Sequence, residues 1–138
     1  MADSKLMKLQ IISPDRIFYD GDVKMVETRT TEGDIGIYPD HIPLTAIVAP
    51  GILTIHESEG VKEAALHDGF IEIRKKKVVI LAESCEWPEE IDLNRAKEAK
   101  IRAERRLKGA DGEINEYRAE AALRRSIIRI SLAEKYRK

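Results

Sequence analysis

Glu32-Gly33-Asp34-Ile35-Gly36-Ile37-Tyr38-Pro39-Asp40-His41-Ile42-Pro43-Leu44, followed by Ala49-Pro50-Gly51, is the stretch that decides the fold. Its apolar residues stand two apart at Ile35 and Ile37, and prolines and glycines cut it into pieces too short for helices. The same pattern extends outward from residue 6 to residue 81. Residues 6–12 alternate, Ser13-Pro14-Asp15 makes a turn, residues 16–19 form a short strand, and Asp20-Gly21-Asp22 reads as the next turn. Residues 23–31 give another strand, closed by Glu32-Gly33-Asp34. Residues 51–56 and 61–67 flank one hairpin turn, and residues 69–74 and 77–82 flank a second at Lys75-Lys76. Strands this short, spaced roughly 8–12 residues apart, predict an antiparallel sandwich or barrel.

The periodicity changes after Trp87-Pro88. From Ile91 onward there is no proline, and good helix formers dominate. Leu93, Ala96, Lys100, Ala103 and Leu107 make a narrow stripe at helical spacing, with Asp92 placed to cap the first turn. Gly109-Ala110-Asp111-Gly112 breaks the helix. A second helix over about 113–136 carries Ile114, Tyr117, Ala121, Ile128 and Leu132 on one face. So short a break predicts an antiparallel hairpin. The expected organisation is an all-β domain over residues 1–87 and a helical hairpin over residues 88–138.

Composition narrows the function. The net charge of −1 divides into +4 for residues 89–138 (14 Lys/Arg, 10 Asp/Glu) and −5 for residues 1–88 (10 and 15). Charged residues reach 36%, above the ~25% of an average domain, which suits long solvated helices. Aromatics are 5% and stand apart from any basic patch, which argues against nucleic acid. A single cysteine, Cys85, excludes an internal disulfide and fits a reducing compartment. No run approaches the ~20 apolar residues that span a bilayer, and the first residues lack the apolar stretch of a signal peptide. A cytoplasmic protein, held at a membrane only through partners, is expected.

A search for catalytic groups finds little. His41, His56 and His67 lack metal-ligand spacing and read as structural or surface residues, so no metal site is expected. There is no GxSxG elbow, no HExxH and no phosphate-binding GxxxxGK[ST], so the chain does not read as an enzyme. The arginines stand out instead. Arg118, Arg125 and Arg129 fall on one face of the second helix, and Arg95 and Arg102 on one face of the first. Converging guanidiniums call for an anion, and a polyphosphate matches their planar forks. On spacing alone, a solvated face with ion pairs such as Glu98–Arg102 and Glu120–Arg124 remains the plainer reading.

Over essentially the whole chain, the sequence resembles the epsilon subunits of bacterial F-type ATP synthases. The segment from Gly33 to Leu44 is similar to that family's G-x-[IL]-G-[IL]-x-P-x-H-x-P-L pattern, with Asp40 where the family commonly has glycine. The resemblance implies a ten-stranded β-sandwich followed by a helical hairpin. It also implies a non-catalytic rotor subunit of a proton-translocating synthase, lying peripherally on the cytoplasmic face of the cell membrane. Its partners would be the gamma subunit, the membrane c-ring and the alpha/beta catalytic head. The loop around Glu32, Asp34 and His41 would face gamma and the ring. Ile91-Asp92-Leu93-Asn94-Arg95-Ala96 is similar to the [IL]-D-x-x-R-A motif of ATP-binding members. By that resemblance Ile91, Asp92 and Ala96 would meet the adenosine end, with Glu86 nearby, and Arg95, Arg102, Arg125 and Arg129 would serve the phosphates, although Arg95 could instead hold the base. ATP would then be a regulatory ligand and not a catalytic cofactor, with participation of Mg²⁺ left open.

Overall fold

Two periodicities become two compact units in the computed structural model, which describes residues 5–109 and 116–137: one unit is Met1–Glu86 and the other Trp87–Lys138. The first unit is all β. Its strands are β1 (Met7–Ser13), β2 (Arg16–Val23), β3 (Met25–Thr30), β4 (Gly33–Ile37), β5 (Leu44–Val48), β6 (Gly51–Glu57), β7 (Gly60–Ile73) and β8 (Lys77–Glu86). Pairing runs in the order β2-β1-β8-β7-β5-β3-β4, with β6 against β3 and β7. Every pair is antiparallel except β1 with β8, where Lys8 to Ile12 run alongside Lys77 to Leu81. The core follows the two-residue period: Met7, Leu9 and Ile11 of β1 point inward, as do Val78 and Ile80 of β8. Leu53, Ile55, Leu66, Ile71 and Ile73 belong to it too, each at most 1% exposed.

Eight strands are found where the resemblance implies ten, because β7 and β8 each run on unbroken through a bend. Up to Leu66, β7 pairs with β6; from Gly69 onward it pairs with β5. β8 follows it throughout, Ser84 to Glu86 opposite the first half and Val78 to Ala82 opposite the second. The bend falls at Asp68 (φ 46°) and Gly69 (φ 150°). Strands cross between sheets at such bends.

Two expected turns lie elsewhere. Asp20-Gly21-Asp22 is not a turn but the continuation of β2, paired with Gln10, Leu9 and Lys8. β2 is an edge strand, where outward carboxylates are tolerated and discourage further pairing; Asp20 reaches Lys8 diagonally across the ladder at 3.9 Å. The turn between β3 and β4 is Thr31-Glu32, and Gly33-Asp34 already belong to β4.

In the second unit a 3₁₀ turn (Pro88–Glu90) leads into α1 (Leu93–Leu107), and α2 covers Glu116–Tyr136. The Trp87 amide donates to Glu90 Oε1 at 2.9 Å, and the Arg95 amide to the Asp92 cap at 3.1 Å. Lys97, near the start of α1, lies 3.8 Å from Glu134, near the end of α2, so the helices are antiparallel. Gly109 takes a left-handed φ of 75° just after α1. The Ala110-Asp111-Gly112 part of the expected break, and Glu113 and Ile114 of the expected helix start, lie outside the described residues.

The face of α2 that packs differs from the expected one. Tyr117 is 77% exposed, Ala121 and Ile128 are half-buried, and only Leu132 of that set is fully buried. The buried line is Ala119, Ser126 and Ala133, spaced by seven, facing Ala96 and Ala103 of α1, also seven apart. Small residues let the helix axes approach closely, and Leu132 is the one bulky side chain of α2 fully buried beside them among the described residues. Ser126 satisfies its hydroxyl by donating to Leu123 O at 2.8 Å. Ser126→Leu overpacks this seam and is expected to cost the hairpin about 1–3 kcal/mol. Helical circular dichroism should then be lost at lower temperature than in the parent; identical melting would mean that the helices do not meet there.

Candidate functional site

The seam defines two sides of the hairpin. Residues one position after a seam residue turn about 100° one way around the helix, and residues one before turn about 100° the other way. Lys97 and Glu134 each follow a seam residue, and their ion pair shows that the "after" positions of both helices share a side. The "before" positions therefore share the opposite side, and they are Arg95 and Arg102 on α1 with Arg118, Arg125 and the fully buried Leu132 on α2. Arg129, four positions before Ala133, leans to this side too. The register set by Lys97 and Glu134 places Arg102 about level with Arg129, and Arg95 about level with Tyr136. Arg95, Arg102 and Arg118 are exposed, while Arg125 and Arg129 are half-buried. A face of arginines is thus built on a narrow scaffold of alanines.

Other residues of the expected ligand set are placed differently. Ala96 is 4% exposed and packs in the seam. Ile91 and Asp92 line an open pocket of about 530 Å³ at the end of the hairpin where α1 begins and α2 ends. Glu86 closes β8 in the first unit, with Oε1 3.3 Å from Nε2 of the buried His67. Ile91, Asp92 and Ala96 thus belong to the same unit as the arginines, and Glu86 to the other.

The residues expected to face partners divide as well. Glu32 is exposed in the turn before β4, and Asp34 pairs across the ladder with Arg29, Nε donating to Oδ1 at 2.9 Å. That hydrogen bond and the charge of Arg29 hold the Asp34 carboxyl below its ordinary range. His41 lies past the other end of β4, its Nδ1 2.7 Å from Ile42 O. Glu32, Asp34 and His41 are therefore not one loop: Asp34 lies within β4, Glu32 before it and His41 beyond its far end.

One surface escaped the sequence reading. Register pairs Ile47 with Phe70, Phe70 with Leu81, Leu81 with Ile12, and Ile12 with Ile17. Residues directly paired point to the same side, so these five form one apolar row across β5, β7, β8, β1 and β2, about 19 Å long at ~4.8 Å per strand. Ile47, Phe70, Leu81 and Ile17 are 52%, 56%, 52% and 61% exposed. A contiguous exposed apolar row marks an interaction surface. The signal is present in the sequence as adjacent apolar pairs, Ile11-Ile12, Ile17-Phe18, Ile47-Val48, Phe70-Ile71 and Ile80-Leu81, which make a strand apolar on both faces.

Comparison with known proteins agrees along the chain. Residues 6–88 match the ATP synthase delta/epsilon chain beta-sandwich domain, and residues 89–134 the delta/epsilon chain long alpha-helix domain. An ATP synthase epsilon chain of Caldanaerobacter subterraneus subsp. tengcongensis is 45% identical over 133 residues, covering 96% of each chain. An ATP synthase epsilon chain of Halalkalibacterium halodurans is 43% identical over 128 residues, 92% of this chain and 96% of the relative. In fold, a chain of the Euglena gracilis mitochondrial ATP synthase is similar with a TM-score of 0.75 at 20% identity, over 95% of this chain and 82% of that one.

Proposed function

This chain belongs to the ATP synthase delta/epsilon chain family, and from that membership we propose that it is the epsilon subunit of the rotor whose hairpin responds to ATP. It performs no catalysis itself. The sandwich docks on gamma and the c-ring, at the cytoplasmic face of the membrane, and the hairpin regulates hydrolysis in the alpha/beta head. The observation that supports an ATP-responsive hairpin is the arginine face. Arg95, Arg102, Arg125 and Arg129 stand on one side of two antiparallel helices, where their planar guanidinium forks match the oxygens of a triphosphate.

The mechanism is a shift between two states. The folded hairpin presents both halves of the arginine face and is stabilised by bound ATP. Its thin alanine seam holds it only weakly, since small side chains bury little apolar area. Without ATP the helices separate, extend along gamma and obstruct rotation. A ligand stabilises the state that binds it by RT ln(1 + [L]/Kd), about 2.7 kcal/mol at hundredfold excess. That moves a balanced switch by roughly two powers of ten.

Calorimetric titration of the intact chain with ATP, ADP and GTP tests this. Saturable binding that prefers ATP is expected, weakened about 10- to 100-fold in Arg125→Ala, as befits a charge-assisted hydrogen bond worth about 1.5–3 kcal/mol. Absence of binding at millimolar ATP would leave a rotor subunit whose hairpin acts on protein alone.

A further inference from the structure

The arginine face does not end on an arginine. Tyr136 follows Arg129 by seven residues, on the same side of α2, and stands about level with Arg95. The face therefore has two rungs, Arg102 with Arg129 and Arg95 with Tyr136, separated by about 10.5 Å of helix rise. That is the span between the base and the outer phosphates of an extended nucleoside triphosphate. Tyr136 also lines the open pocket of about 530 Å³, with Ile91, Asp92, Asn94, Ala133 and Arg137. The pocket is large enough for a nucleoside and mixes an aromatic ring, an aliphatic side chain, a carboxylate and an amide. Asp92 uses Oδ1 to cap α1 and has a second oxygen for a ribose hydroxyl or a base amino group.

We propose that Tyr136 is the platform on which the base of the bound nucleotide stacks, fixing the ligand's direction along the hairpin with its phosphates toward Arg102 and Arg129. This rests on the ATP-responsive reading above and adds to it the residue that meets the base. The ring is 47% exposed, and the Lys135 ammonium lies 5.9 Å from its centroid. An exposed cation–π contact of that kind is weaker than base–aromatic stacking.

The test compares ATP with inorganic tripolyphosphate, which has the charge but no base, on the intact chain. Tyr136→Ala should weaken ATP about tenfold and leave tripolyphosphate unchanged, while Tyr136→Phe stays within threefold of the parent for both. In Tyr136→Trp the new indole emission should be quenched by ATP and not by tripolyphosphate, whatever the alanine variant does to folding. If the parent binds ATP and Tyr136→Ala binds it equally well, or the indole of Tyr136→Trp does not respond to ATP, the platform is wrong and the sensor stands. If the parent binds neither ligand, the ATP-responsive reading itself fails.

Discussion

Phe70→Asp combined with Leu81→Asp is expected to abolish capture of the gamma subunit, lowering affinity at least a hundredfold. The two side chains are direct partners at the centre of the apolar row, with Ile47 on one flank and Ile12 and Ile17 on the other. Central, well-packed apolar residues dominate binding energy at protein interfaces. Each new carboxylate would have to be desolvated without a partner, which alone costs several kcal/mol per charge in a closed interface. The folded sandwich loses little, because both positions are more than half exposed and the strand ladder is made by the backbone. Affinity for immobilised gamma, beside the thermal midpoint of the free variant, separates the two effects. Undiminished binding by a well-folded double variant would remove the row from the interface and return the role to Glu32, Asp34 and His41.

Gly69→Ala is expected to destabilise the sandwich by more than about 3 kcal/mol, the size reached when strain and a backbone clash combine. A Cβ at Gly69 would stand 2.1 Å from the Leu81 carbonyl oxygen, and φ there is 150°. The obstacle is backbone of the paired strand and has no rotamer by which to move aside. Relief would require shifting β8 at the point where β7 and β8 pass between layers. Gly33 is the fair control: its φ is 120°, but nothing lies within 4 Å of where a Cβ would stand, so Gly33→Ala carries backbone strain alone. At roughly 4–8 °C per kcal/mol for a unit of this size, the Gly69 variant should melt more than about 12 °C below the parent. Equal melting of the two alanine variants would show that β8 yields freely at the bend.

Much of this is legible in the chain. Alternation places Leu9, Ile11, Val78 and Ile80, the two hairpin turns around β7 fall where glycine and charged residues collect, and Asp92 announces the start of α1. The departures have physical causes. Asp20-Gly21-Asp22 has the composition of a turn, but hydrogen bonding to β1 outweighs local preference at an edge strand. On α2 the large residues suggest the packed face, whereas a closely spaced antiparallel pair selects alanine and serine at its line of contact.

Two units of different period, the small-residue spacing of the helices and the arginines at sevenfold intervals can all be read from the residues alone, because each depends on neighbours in the chain. Which arginines share a side, that Tyr136 completes their line, and that five apolar residues from five strands join into one row emerge only in the folded molecule. Those relations are matters of register between segments far apart in sequence, and register is set by packing across the fold, which no local preference encodes.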